Sequence, residues 1–209
     1  MKFNSNINVK KDLKFKVQDC PTQAILKNVS LSETERPSED RQGNPSSYEY
    51  AGKTIPSILF VFKQVGTDKE GNDLGAENRI YKELITTNIY IKNDGNKLSE
   101  DALQGILDAN WARIMHIAKD GFNINIENDQ KVIAAFTELY ENFTKVNSDK
   151  RLELFKDAFA AVVNAFHTTE GKPKFKKEDG KYIPVYLKLV TDKESGNFHT
   201  TPRYINEGF

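Results

Sequence analysis

The 209-residue sequence has one cysteine, one tryptophan and no excess of either charge, with 30 Lys+Arg against 30 Asp+Glu. With Cys20 alone, an intramolecular disulfide framework and multi-cysteine zinc or iron-sulfur sites are excluded. Long apolar runs are missing too. The stretch Ile58-Leu59-Phe60-Val61-Phe62 is far shorter than a bilayer span, so no membrane partner is expected. Residues 1–16 interleave Lys with Asn and lack an apolar core or cleavage site, so a reducing, cytoplasmic setting is expected. In that setting the sequons at Asn28 and Asn142 are not glycosylation sites. Phosphate-cradling glycine loops, the Gly-x-Ser-x-Gly elbow and His-Glu-x-x-His are all absent, and with them the usual cofactor and metal signatures.

The remaining titratable groups offer little for catalysis. His116, His167 and His199 are far apart in sequence. His116 stands one helical turn from Asp120 and reads as a helix-surface group, while His167 closes a helix where the dipole favours a cation. Glu100 and Asp101 read as capping charges at a helix start, and Cys20 has no basic neighbour fixed beside it to activate the thiol. No enzyme, cofactor or metal site is expected.

What the sequence does have is aromatic surface, at 11% Phe, Trp and Tyr, which argues for a packed core rather than disorder. Its charge neutrality is also uneven. Residues 1–63 hold 10 basic and 7 acidic side chains, residues 64–96 hold 4 and 6, residues 97–170 hold 8 and 12, and residues 171–209 hold 8 and 5. The acidic middle has apolar residues at three- and four-residue spacing, and the basic flanks alternate at period two. Three helices are predicted in the insertion at 97–170. Ser99 would cap the first, with Leu103, Leu107, Trp111, Ile114 and Ala118 in its stripe and a stop at Asp120-Gly121. The second would start at Asn128-Asp129 with Phe136, Leu139, Tyr140 and Phe143, and the third after Ser148 with Phe155, Phe159, Val162 and Phe166.

Strands are predicted over 24–31, 55–64, 81–92, 182–191 and 198–205, with a hairpin loop at 192–197 and exposed, mobile loops at 32–47 and 66–78. Ile58 to Phe62 is apolar on both faces and reads as a central strand covered on both sides. The fold class is α+β: a small antiparallel β-barrel, OB-like, with a helical insertion of about three helices. Residues 1–20 read as an N-terminal strand or arm, and 21–209 as a single domain.

On the strand segments Tyr and Lys/Arg share faces. Tyr186 and Lys188 fall opposite Val185, Leu187 and Leu189; Tyr90 and Lys92 fall opposite Ile89 and Ile91; Tyr48 and Tyr50 share a face with Lys53 just beyond; Arg79 and Tyr81 lie beside Lys82. Rings that stack bases and cations that follow phosphates are what single-stranded nucleic acid needs. Any half-exposed antiparallel strand also looks like this, and the same faces suit a protein interface.

Several segments together carry a family resemblance: Ala24-Ile25-Leu26, Ser47-Tyr48-Glu49-Tyr50, the strand from Ile55 to Lys63, Arg79-Ile80-Tyr81, Asn110-Trp111-Ala112-Arg113-Ile114, Pro184-Val185-Tyr186-Leu187-Lys188-Leu189 and Thr201-Pro202-Arg203-Tyr204. In their order they resemble the OB-fold single-stranded DNA-binding proteins of tailed bacteriophages, in particular the crAss-like group. The likeness spans residues 22–205 as a pattern of elements. It implies a non-catalytic protein coating single-stranded DNA in phage replication or recombination. Tyr48, Tyr50, Tyr81, Tyr90 and Tyr186 would stack bases, and Lys53, Lys63, Arg79, Lys82, Lys92, Lys188 and Arg203 would meet phosphates. Replication proteins are implied as partners, through the C-terminal Phe209 or the acidic insertion, and a homo-oligomer is compatible. The end Glu207-Gly208-Phe209 departs from the acidic tails of such proteins, which puts a tail function in doubt. The alternative expectation is a phage structural or assembly protein that uses these faces for protein contacts.

Overall fold

The computed structural model describes residues 1–5, 17–40, 42–65, 80–87, 98–191 and 198–207. Five antiparallel strands form one sheet: β1 (Val17–Glu35), β2 (Thr54–Gln64), β3 (Ile80–Thr86), β4 (Pro184–Thr191) and β5 (Phe198–Glu207). Their order is β3-β2-β1-β4-β5. Three strands in succession, with the fourth returning by a long connection to lie beside the first, make a Greek key. That long connection is the helical insertion: α1 (Glu100–Met115), α2 (Gln130–Asn142) and α3 (Ser148–Ala165). The chain is thus α+β, and its sheet is an open ladder. The edge strands β3 and β5 approach each other, but no pairing joins them among the described residues. A closed barrel is therefore not what the ladder forms.

β1 holds the sheet together because it borders two partners. Its first half pairs with β4 (Ala24 opposite Val185) and its second half with β2 (Val29 opposite Phe60). The changeover coincides with a bulge between Leu26 and Asn28. The extra residue of a bulge bends the strand and raises its twist, which suits a strand shared between two partners.

Alternation assigns the two faces. Leu26, Val29, Ile58, Phe60, Phe62 and Ile85 point to the helical layer and are buried with it in one core. Phe166, just past α3, meets Phe60 edge-on at 5.4 Å between ring centroids. Leu59 and Val61 alternate onto the other face and are only half-buried, so β2 is an interior strand covered on one side among the described residues. Covering both sides would take a second helical layer, and all three helices lie in one insertion.

The helices start as their sequence dictates. Ser99 Oγ accepts from Ala102 N at 3.2 Å, and Asp129 Oδ1 accepts from Lys131 N at 2.9 Å. α3 is capped by Asn147, one residue earlier than expected, with Oδ1 accepting from Lys150 N at 2.9 Å. The helical run begun by α1 ends at Gly121 as expected, but its last residues, His116–Gly121, form a π-helical turn lying against β5.

Residues 1–5 belong to the helical layer. Phe3 meets Trp111, Phe136 and Tyr140 at 4.8, 5.4 and 5.1 Å between centroids, and Trp111 Nε1 donates to Ser5 O at 3.1 Å. Val17 to Cys20 already lie in β1, and residues 6–16 lie outside the described residues.

The expected loop at 32–47 needs correction. Residues 32–35 extend β1 and pair with β2, because the alternating Leu31, Glu33 and Glu35 continue the ladder without demanding burial. Residues 36–40 and 42–53 form an organised connection. Asp40 Oδ1 accepts from Asn44 N and Gln42 N, both at 2.9 Å, and the bonds from Asn44, backbone first and then side chain, with that from Gln42, hold its pKa below the ordinary carboxylate value. The expected strand at 81–92 is described as β3 only to Thr86, and residues 88–92 lie outside the described residues. The segments at 66–79 and 192–197 also lie outside them, although Thr191 opposite Phe198 makes β4 and β5 a hairpin. No described helix is long and apolar enough to cross a membrane.

Candidate functional site

Among the described residues, the sheet face turned away from the helices is the one left without a covering layer. Its rows follow from the register. Ile25, Lys63 and Ile80 form one row; Asn28, Val61 and Lys82 the next; Ser30, Leu59 and Leu84 the third; and Ser32, Ser57 and Thr86 the fourth. The fourth row is closed over. Ser57 and Thr86 are buried, Thr34 Oγ1 lies 3.2 Å from Ser57 Oγ, and Arg36 Nη2 donates to Thr86 Oγ1 at 3.4 Å. The other three rows are open. Ile80 is 60% exposed, Lys82 is exposed, and Leu59, Val61, Lys63 and Leu84 are half-buried.

The charge on this open face has one sign. At the outward positions of β1, β2 and β3 among the described residues, Lys63 and Lys82 are the charged side chains of the open rows, and no carboxylate shares them. Lys27, the extra residue of the β1 bulge, adds a third cation beside Asn28. The acidic side chains of β1, Glu33 and Glu35, alternate with this face and stand opposite Pro56 and Thr54, toward the far end of the strand. The described helices of the acidic insertion pack on the opposite face of the sheet from Lys63 and Lys82.

The expected site residues divide accordingly. Lys63 and Lys82 stand together on the open face, in adjacent rows of adjacent strands. Tyr81 pairs with Phe62, one position before Lys82 in β3. Tyr186 and Lys188 pair with Gln23 and Pro21 of β1, at positions alternating with buried Val185 and Leu187. Arg203 lies in β5. Arg79, Tyr90, Lys92 and Phe209 lie outside the described residues.

The loop residues fare differently. Tyr48 is 38% exposed, but Tyr50 is 4% exposed, so its ring is a packing element and not a base platform. Burial pushes the Tyr50 phenol up to about 12, with the neighbouring Glu49 carboxylate adding to the shift. Lys53 is engaged at the start of α3, where its Nζ lies 2.7 Å from Asp149 Oδ1 and donates to Ser148 Oγ at 3.1 Å. Parity could not foresee either result. Both follow from the loop's docking on α3, where Arg151 Nη1 donates to Glu49 Oε1 and Oε2 at 3.0 and 2.9 Å.

One further group of residues escapes a reading by parity. Lys27 Nζ donates to Tyr182 Oη at 3.0 Å and stands 4.3 Å from the ring centroid, while Lys176 Nζ stands 4.3 Å from the same centroid. A signal is present in the sequence: Lys27-Asn28 puts two polar residues in succession inside an alternating run, which is how a bulge reads.

His116 and Asp120 do meet, through Nδ1, on the π-helical turn, and His116 Nε2 is buried without a hydrogen-bond partner. Among the described residues no cluster of three or more His, Cys, Asp and Glu side chains could hold a metal ion. No family model matches the chain, and neither the curated proteins nor the solved structures contain a match to it.

Proposed function

We propose that this chain binds single-stranded DNA without catalysis, coating it across the open face of β1, β2 and β3, as a phage replication or recombination protein would. The observation that carries the proposal is the open face itself, with aliphatic rows edged by Lys63, Lys82 and Lys27 and no carboxylate among its described outward positions. Half-buried Leu59, Val61 and Leu84 offer flat apolar surface to bases, and the lysines offer phosphate contacts that follow a backbone without reading sequence. The strand order supports an OB-type reading. Were β3 and β5 joined, β1 would border both β2 and β4 in a five-stranded Greek-key ring with the helices between β3 and β4, and the β2–β3 face is where OB folds take oligonucleotides. Fluorescence titration with oligo-dT at ~50 mM salt tests the reading. Binding tighter than the ~10⁻⁴ to 10⁻⁶ M of non-specific association is expected, weakening steeply with salt and reduced in K63Q/K82Q.

A second reading, an assembly protein that buries this face against a protein neighbour, is favoured by Ile80 alone, an aliphatic side chain 60% exposed beside Lys63. Salt-insensitive self-association without DNA binding would select it.

A further inference from the structure

Beside the open face, two lysines from distant parts of the chain converge on one tyrosine. Ile25 pairs with Pro184, and two residues further along each strand Lys27 meets Tyr182. The connector after α3 then folds back, and Lys176 pairs with Tyr182 through an isolated antiparallel bridge. Phe175, buried beside it, anchors that turn, and Lys174 Nζ donates to Ala165 O at 2.9 Å near the end of α3. The geometry is thus fixed by packing and not by the lysines themselves.

Two ammonium groups, each 4.3 Å from one ring centroid, offer six N–H donors between them, and the group they share is a neutral phenol. Neither lysine makes an ion pair with a carboxylate among the described residues. Attraction to the ring face offsets part of their repulsion, and an anion between them would offset the rest. The hydrogen bond from Lys27, the largest cause, holds the Tyr182 phenol below its ordinary pKa, as expected in an uncompensated positive field.

We propose that Lys27, Tyr182 and Lys176 form a clasp for one phosphodiester of a single nucleic-acid strand, at the β4 side of the open face. The clasp rests on the reading of that face as a single-stranded DNA surface and extends it to residues outside the Lys63 and Lys82 rows. The line from Tyr182, two residues before β4, through Lys27 and Asn28 to Val61 and Lys82 crosses the sheet to β3. At ~4.8 Å between neighbouring strands that is about 14 Å, so a strand touching both ends covers several phosphates.

The test is a salt series of oligo-dT titrations with the wild-type chain, K27Q/K176Q, K63Q/K82Q and Y182F, each first confirmed folded by circular dichroism and urea unfolding. Each phosphate that is neutralised adds ~0.7 to the slope of log K against log salt, so K27Q/K176Q, which loses the one phosphodiester of the clasp, is expected to bind more weakly and to flatten that slope by about 0.7. Y182F keeps the ring and should keep the wild-type slope. A wild-type slope in K27Q/K176Q with a flattened one in K63Q/K82Q overturns the clasp and leaves the DNA-binding reading standing. A fall in Y182F as large as in K27Q/K176Q assigns the interaction to the phenol and also overturns the lysine clasp. If the wild type binds no oligo-dT, the DNA reading fails, and thermal melts with inorganic phosphate decide the clasp separately. Stabilisation of wild type but not of K27Q/K176Q supports a phosphate site, and no stabilisation of either overturns it.

Discussion

Arg151 ties together three parts of the molecule, and removing it should loosen the loop at residues 36–53. Its Nη1 donates to both oxygens of Glu49 at 3.0 and 2.9 Å, its Nε donates to Phe143 O at 2.7 Å, and its guanidinium lies 5.2 Å from the Phe143 ring centroid. The Arg151 and Glu49 side chains are 16% and 19% exposed. Breaking a fully buried ion pair costs about 3–5 kcal/mol, and an exposed pair is worth about 0.2–1 kcal/mol. R151M keeps the apolar stem but strands a mostly buried carboxylate and a carbonyl, so a loss of about 2–4 kcal/mol is expected. In urea, with a slope of ~2 kcal/mol/M, the midpoint should fall by about 1–2 M. A double-mutant cycle with Glu49→Gln isolates the pair, with a coupling of about 1–2 kcal/mol expected. R151M within about 0.5 kcal/mol of wild type, or strict additivity of the two changes, would show that the loop is held by something other than this clamp.

Phe3→Ala removes a ring that meets three aromatic partners, and since Phe3 is only partly buried a loss of about 2–3 kcal/mol is expected, with a red shift of the Trp111 emission as water reaches its indole. Unchanged emission would mean that the N-terminal residues do not cover Trp111 in solution. Alkaline pH should destabilise the fold. Burial raises the phenols of Tyr50, to about 12, and of Tyr140, still further with the Asp108 carboxylate beside it. A raised folded-state pKa contributes stability that is full below the unfolded value near 10 and is lost as pH climbs through the folded value. Urea midpoints should therefore hold to about pH 10 and fall above it. Difference titration should show Tyr182 ionising ahead of both, with the early step absent in Y182F.

The elements are legible in local periodicity. Three- and four-residue spacing locates all three helices to within a few residues, since burying one stripe requires that period whatever lies opposite. Period two locates the strands, and the run from Ile58 to Phe62 identifies an interior one, β2, although only one of its faces is covered among the described residues. In the structure Lys63 and Lys82 fall in adjacent rows of one face, a placement set by the β2–β3 register. Where the alternation breaks, parity fails. The bulge at Lys27 sends that side chain to Tyr182, and the loop residues Tyr50 and Lys53 carry no face at all until α3 meets them.

Which segments meet is a matter of long-range pairing. Zero net charge is a property of the chain, but separating an acidic helical layer from a sheet face bearing Lys27, Lys63 and Lys82 requires β1 to pair with both β2 and β4. Likewise, Lys176 reaches Tyr182 only because Phe175 is buried and turns the connector back. Local periodicity fixes what each segment must bury. Tertiary pairing fixes what it leaves exposed together, and binding depends on that second choice.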